Sequence, residues 1–130
     1  MSNPVMKYEP INSEFGEFHG RDALYLDDRR ATDSRLILKG EVNGELVSNS
    51  QGKEWIPYSF NFSGVDKVKE TELDNWLSSN HPNFHETSSF YELIDPEAKG
   101  DKHRHFVIQT YDIVFEISCE SYELSFNKNS

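Results

Sequence analysis

Hydrophobic and polar positions alternate through much of this chain, and each place where the alternation loses phase marks a turn. Arg35 to Leu46 carries Leu36, Leu38 and Val42 among polar residues, and Trp55 to Val65 carries Trp55, Tyr58, Phe60 and Phe62 in near alternation. Successive side chains on a strand point to opposite faces, so both segments are expected to be strands with one buried face. Ser48 to Lys53 holds only loop-favouring residues, which predicts an antiparallel hairpin. Asn43-Gly44 competes as its turn, because that dipeptide adopts the positive φ of a two-residue connection. Pro57 lacks a backbone donor and predicts an edge or a bulge in the second strand.

Thr71-Glu72-Leu73-Asp74 sets a hydroxyl at a capping position with a carboxylate one turn on, so a short helix is expected to start there. Leu73, Trp76 and Leu77 share one face of it, and His81-Pro82 closes it. Ser89 to Ile94 reads as a strand that ends at Asp95-Pro96. Beyond it Phe106 and Ile108 hold one parity, Tyr111, Ile113, Phe115, Ile117 and Cys119 the other, and Tyr122, Leu124 and Phe126 return to the first. Such changes of phase need a turn or a bulge, expected at Thr110-Tyr111-Asp112 and near Glu120-Ser121. Tyr111, Val114, Phe115, Cys119 and Tyr122 also fall at helical spacing, but the β-branched Ile113, Val114 and Ile117 favour strand.

These elements predict an α+β fold: a single antiparallel, curved β-sheet of about five to seven strands with one short helix packed on it. The chain has 130 residues, which suits one domain spanning 1–130, with an irregular N-terminal arm or edge strand (about 1–20) and a short polar C-terminal tail (127–130). Ala23-Leu24-Tyr25-Leu26 is a short apolar patch, and the charged stretch from Asp27 to Asp33 reads as a solvated turn. Only 35% of residues are hydrophobic, but 13% are aromatic, and large rings supply the area for a packed core.

The formal net charge of −10 disfavours phosphate backbones and anionic membranes, so neither nucleic acid nor a membrane is an expected partner. A protein of basic surface is the better fit, since opposite charges steer association. The exposed edges of a small sheet allow a monomer or a homodimer. Cys119 is the only cysteine, which excludes an internal disulfide and a cysteine-based metal cluster within one chain. Met1 to Tyr8 has no apolar leader core, and no segment is apolar enough for a membrane helix, so a cytoplasmic location is expected.

Motifs of catalysis are missing: the chain has no Gly-x-Ser-x-Gly, phosphate-binding glycine loop or dinucleotide fingerprint. His103-x-His105 resembles the ligand pair of a cupin strand but lacks its glutamate. His81 and His85 straddle Pro82 and share no helical face, so neither a metal nor any other cofactor is expected. Cys119 sits at a core position without a basic neighbour and is no nucleophile. Two groups of residues are candidates for binding. Asp112, Glu116 and Glu120 fall on one strand face and could meet a cationic partner, although such a row is ordinarily the wet side of a sheet. Asp112 could equally shape its turn. Lys102, His103, Arg104 and His105, with Lys99, form the one dense basic patch, an anion or pH-sensitive site if it binds anything. Trp55, Tyr58, Phe60 and Phe62 read as core before they read as a ligand pocket.

The stretch His105-Phe106-Val107-Ile108-Gln109-Thr110-Tyr111-Asp112 to Ser121-Tyr122-Glu123-Leu124 resembles the C-terminal segment of small uncharacterised bacterial α+β proteins, some of them similar to immunity proteins of toxin systems. It contains no motif that transfers a functional residue. The resemblance implies an acidic interaction domain that neutralises a basic partner. The alternative is a small-molecule-binding or enzymatic domain with a pocket between sheet and helix.

Overall fold

The computed structural model describes residues 7–19, 23–47, 54–78, 89–94 and 103–126. Its elements are β1 (Lys7–Pro10), β2 (Leu24–Ala31), β3 (Arg35–Asn43), β4 (Trp55–Ser63), β5 (Lys67–Glu72), α1 (Leu73–Ser78), β6 (Phe90–Ile94), β7 (Arg104–Gln109), β8 (Ile113–Cys119) and β9 (Ser121–Phe126). A five-stranded sheet runs β1-β6-β7-β8-β5 and a four-stranded one β2-β3-β4-β9, antiparallel throughout. This overturns the expectation of an α+β fold built on a single sheet: the described residues are nearly all strand, in two sheets. Alternation reveals which side chains are buried, but not against which sheet they pack.

The inner faces of the two sheets meet on a shared core. Ile56, Tyr58, Phe60 and Phe62 of β4 and Leu36, Leu38 and Val42 of β3 lie opposite Phe90, Phe106, Ile108, Phe115 and Ile117. Rings cross the gap: Phe60 meets Phe90 edge-on at 5.0 Å and Phe62 meets Phe106 at 6.0 Å. Each fully buried ring stabilises the fold by roughly 2–3 kcal/mol relative to an exposed one. Phe15 and Phe18, from the segment expected to be an arm, are also fully buried, and Phe15 packs edge-on against Phe126 at 4.8 Å. On the far face of the five-stranded sheet, Leu73 and Trp76 of α1 close on Tyr91, Val107 and Val114, all buried.

Several local expectations meet different outcomes. The hairpin forms, with β3 and β4 paired from Arg35↔Ser63 to Asn43↔Trp55. Asn43-Gly44 is not its turn; Asn43 Oδ1 accepts from the Glu45 N–H and caps a 3-10 turn over Gly44–Leu46. Pro57 lies one residue beyond the last described rung to β9, Tyr58↔Phe126, where β4 has a partner on one side only. Thr71 does not cap the helix, because Thr71 and Glu72 pair with Val114 and Ile113 and α1 begins at Leu73. The helix end at His81-Pro82, the loop at Ser48 to Lys53 and the tail 127–130 lie outside the described residues. No helix among those described is long and apolar enough to cross a membrane.

Besides the passage from β1 to β2, the chain changes sheet at two adjoining corners, after β4 and after β8. The Glu120 N–H donates to the Ser63 carbonyl at 3.0 Å and the Asp66 N–H to the Ser118 carbonyl at 2.8 Å. Gly64 turns with φ 63°, and a Cβ there would stand 2.6 Å from Glu120 Cγ. Gly40, in the buried row of β3, answers a different need. A Cβ there would land on the Tyr25 carbonyl and come within 2.9 Å of the Tyr58 hydroxyl. The space instead admits the Tyr58 O–H, which donates to that carbonyl at 3.0 Å, beside the bulge between Leu26 and Asp28.

Gly40→Ala is therefore expected to destabilise the protein by about 2 kcal/mol, since backbone and a buried tyrosine must both shift. Gly64→Ala should cost less, about 1–2 kcal/mol, from the left-handed backbone alone, because the Glu120 side chain can swing away. Urea unfolding midpoints measure both; an unchanged midpoint in Gly40→Ala would contradict the packing described.

Candidate functional site

The bulge in β2 creates the most distinctive surface of the molecule. Leu24 and Leu26 point into the core, so Tyr25 points out, directly across from Glu41 on β3. Asp27 is the extra residue that the bulge leaves unpaired, and bulges of this kind re-aim a side chain. Trp55, at the start of β4, lies on the same outer face, its ring 5.4 Å from that of Tyr25 at 71°. Tyr25, Asp27, Glu41 and Trp55 line an open hollow of 440 Å³.

A third ring comes from the other sheet. The turn between β7 and β8 is tied by Thr110, whose hydroxyl donates to the Ile113 carbonyl at 2.7 Å. The next residue, Tyr111, donates its N–H to the Leu24 carbonyl at 2.9 Å and stacks on Tyr25 at 5.2 Å and 19°. Trp55 and Tyr111 stay 46% and 51% exposed, the only large hydrophobic side chains besides Val68 to do so among the described residues. On the far side of the stack, Glu72, Asp74, Asp112 and Tyr111 line a second hollow, of 390 Å³. One end of the sandwich thus joins three aromatic rings to five carboxylates, Asp27, Glu41, Glu72, Asp74 and Asp112, and none of the described residues that line either hollow is basic.

Asp112 belongs to this end, its carbonyl accepting from the Leu73 N–H at 2.9 Å. Glu116 stands about 13 Å further along β8 at the rise of a strand, on the outer face of the five-stranded sheet, opposite Val107 and Lys69. Glu120 packs at the Gly64 corner. The row does not form one wet face, because Val114 and Ser118 between these carboxylates are buried.

Strand alternation also divides the basic patch. Arg104 reaches Glu92 through two hydrogen bonds of 2.8 Å and lies over the rings of Phe106 and Tyr122 at 4.9 and 5.6 Å. His105 faces the other way, into a groove of 570 Å³ rimmed by Lys67, Lys69, Asp66 and Glu116. Both signs of charge meet in that groove, whereas the end hollows carry one. His103 precedes β7; Lys99, Lys102, His81 and His85 lie outside the described residues. No group of three or more acidic, histidine or cysteine side chains among the described residues could hold a metal ion. The interface of α1 with its sheet is filled by Leu73, Trp76, Tyr91, Val107 and Val114.

Of the residues at the aromatic end, the sequence pattern places Trp55 in the core, Tyr25 in an apolar patch and Asp27 in a solvated turn, whereas Trp55 lies on the outer face and Asp27 within β2. The available signal was parity: Trp55 is odd where the buried Tyr58, Phe60 and Phe62 of its strand include only even positions. Compared with protein-family models, curated proteins and solved structures, the chain shows no match.

Burial dominates the titration of the core. It pushes the Cys119 thiol up to about 11, against a smaller downward pull from Arg104, and raises Tyr58 and Tyr122 as well. The fold holds these groups neutral; for Cys119 the stabilisation is complete below the ordinary thiol value near 9 and is lost as pH rises through about 11, and the tyrosine part begins to be lost only above the ordinary phenol value near 10. Stability is expected to fall over that window. Cys119→Ala should flatten the early part of the decline and leave the tyrosine part. Denaturant titrations at stepped pH check this, and a decline identical in the variant would exclude Cys119.

Proposed function

We propose that this chain is a protein-interaction domain that docks a basic protein on its aromatic and acidic end. The supporting observation is the juxtaposition of half-buried Tyr25 and the exposed Trp55 and Tyr111 with Asp27, Glu41, Glu72, Asp74 and Asp112, with no basic residue among the described residues that line the hollows. Aromatic side chains concentrate binding energy at protein interfaces, and surrounding charge selects the partner and accelerates encounter. The net charge of −10 extends the same field over the molecule. Neutralising a basic toxin, as the C-terminal resemblance implies, is the form of this activity that we favour; the partner would be held by Asp112 and its neighbours.

The test uses the tagged full chain as bait in its host lysate at low and at high salt. A basic protein should be retained in stoichiometric amount at low salt and released at high salt. Glu41→Lys and Asp112→Lys should each weaken its affinity by about ten-fold or more. Glu116→Lys, on the mixed-charge groove, should leave it unchanged. Retention that survives both reversals, or is lost only with Glu116, would move the site away from this end.

A further inference from the structure

We infer that the hollow between Tyr25 and Trp55 receives a single arginine side chain of the partner, with the guanidinium laid on the aromatic wall and its N–H edge directed to Asp27 and Glu41. This rests on the acidic end being the binding face, and goes beyond it in naming the group recognised.

The hollow offers two kinds of contact at once. Its walls are the rings of Tyr25 and Trp55, which meet at 71° with centroids 5.4 Å apart. Its acceptors are the carboxylates of Glu41, paired with Tyr25 across the ladder, and of Asp27, thrown out of the ladder by the bulge. A guanidinium is flat, weakly hydrated and rigidly forked, so it stacks on a ring while donating in its own plane to carboxylates. An ammonium is more strongly hydrated and has no face to stack. A quaternary ammonium has no donor to offer and favours a cage of rings, but the third ring here, Tyr111, backs Tyr25 and does not line the hollow.

The Tyr25 wall of the site is held in place before any ligand arrives. The Tyr111 N–H bond to the Leu24 carbonyl fixes the stack behind Tyr25, and the Tyr58 hydroxyl fixes the Tyr25 carbonyl at 3.0 Å. Binding has little of that wall left to order. The protein satisfies one of its own arginines in a related way: Arg104 sits over Phe106 and Tyr122 while donating to Glu92.

The experiment titrates two short glycine-serine peptides, identical except that one carries spaced arginines and the other lysines, into the isotope-labelled full chain at near-physiological salt. The indole N–H of Trp55, assigned with Trp55→Phe, is followed; tetramethylammonium is a third probe. The arginine peptide should shift Trp55 saturably and bind about ten-fold more tightly than the lysine peptide. The double variant Asp27→Asn/Glu41→Gln, and Trp55→Ala separately, should erase that preference while the rest of the spectrum stays folded. If both peptides bind Trp55 equally and both respond to the variants, or tetramethylammonium binds best, the guanidinium inference falls and the basic-partner reading stands. If no probe moves Trp55, both fall for this face.

Discussion

One backbone arrangement organises the molecule: the corner where Glu120 bonds to Ser63 and Asp66 bonds to Ser118. Strands β4 and β5 on one side, and β9 and β8 on the other, form a single two-stranded ribbon that bends there from one sheet into the next. Its rungs run from Tyr58↔Phe126 to Ser63↔Ser121 and resume at Lys67↔Ser118, so three residues on one strand oppose two on the other. The extra residue is a bulge, and bulges let a strand leave one sheet for another. Gly64 supplies the left-handed backbone that the bend requires, and the side chain of Glu120 occupies the space a Cβ would take. The facing of the two sheets, and hence the contact of Phe60 with Phe90 and Phe62 with Phe106, follows from that bend.

The aromatic end depends on the bend indirectly. Because the five-stranded sheet folds over the four-stranded one, the β7–β8 turn reaches the start of β2, and Tyr111 can both bond to Leu24 and stack on Tyr25. The bulge in β2 then supplies the acid. Small irregularities in two ladders, one at Glu120 and one at Asp27, therefore do different work: the first closes the core, and the second turns a carboxylate outward beside it.

Much of the strand framework was legible in the sequence, because burial writes a period of two. Leu36, Leu38, Phe60 and Phe62 identify the β3–β4 hairpin, and the phase changes at Thr110 and Glu120 fall at real breaks. Their meanings differ, and periodicity cannot separate them: the first is a hairpin turn within one sheet, the second a passage between sheets. That is why one sheet was expected where two exist. The candidate site was less legible still. Tyr25, Trp55 and Tyr111 come from separate parts of the chain and meet only through the topology, while Asp112, Glu116 and Glu120 share a parity but are parted by the buried Val114 and Ser118. Arg104 and His105 are neighbours in sequence and face opposite sides of the sheet.

The bent ribbon also fixes an order of assembly. The hairpins of β2, β3 and β4 close over short separations, but the inner row of β4 finds its cover in Phe90 and Phe106 of the other sheet. The rung Tyr58↔Phe126 joins distant parts of the chain, and pairings of such separation are slow to form. During synthesis, then, an aromatic sheet face waits without its lid until nearly the last described strand has emerged, and for that interval the nascent chain must be kept from its neighbours by its own negative charge or by a chaperone.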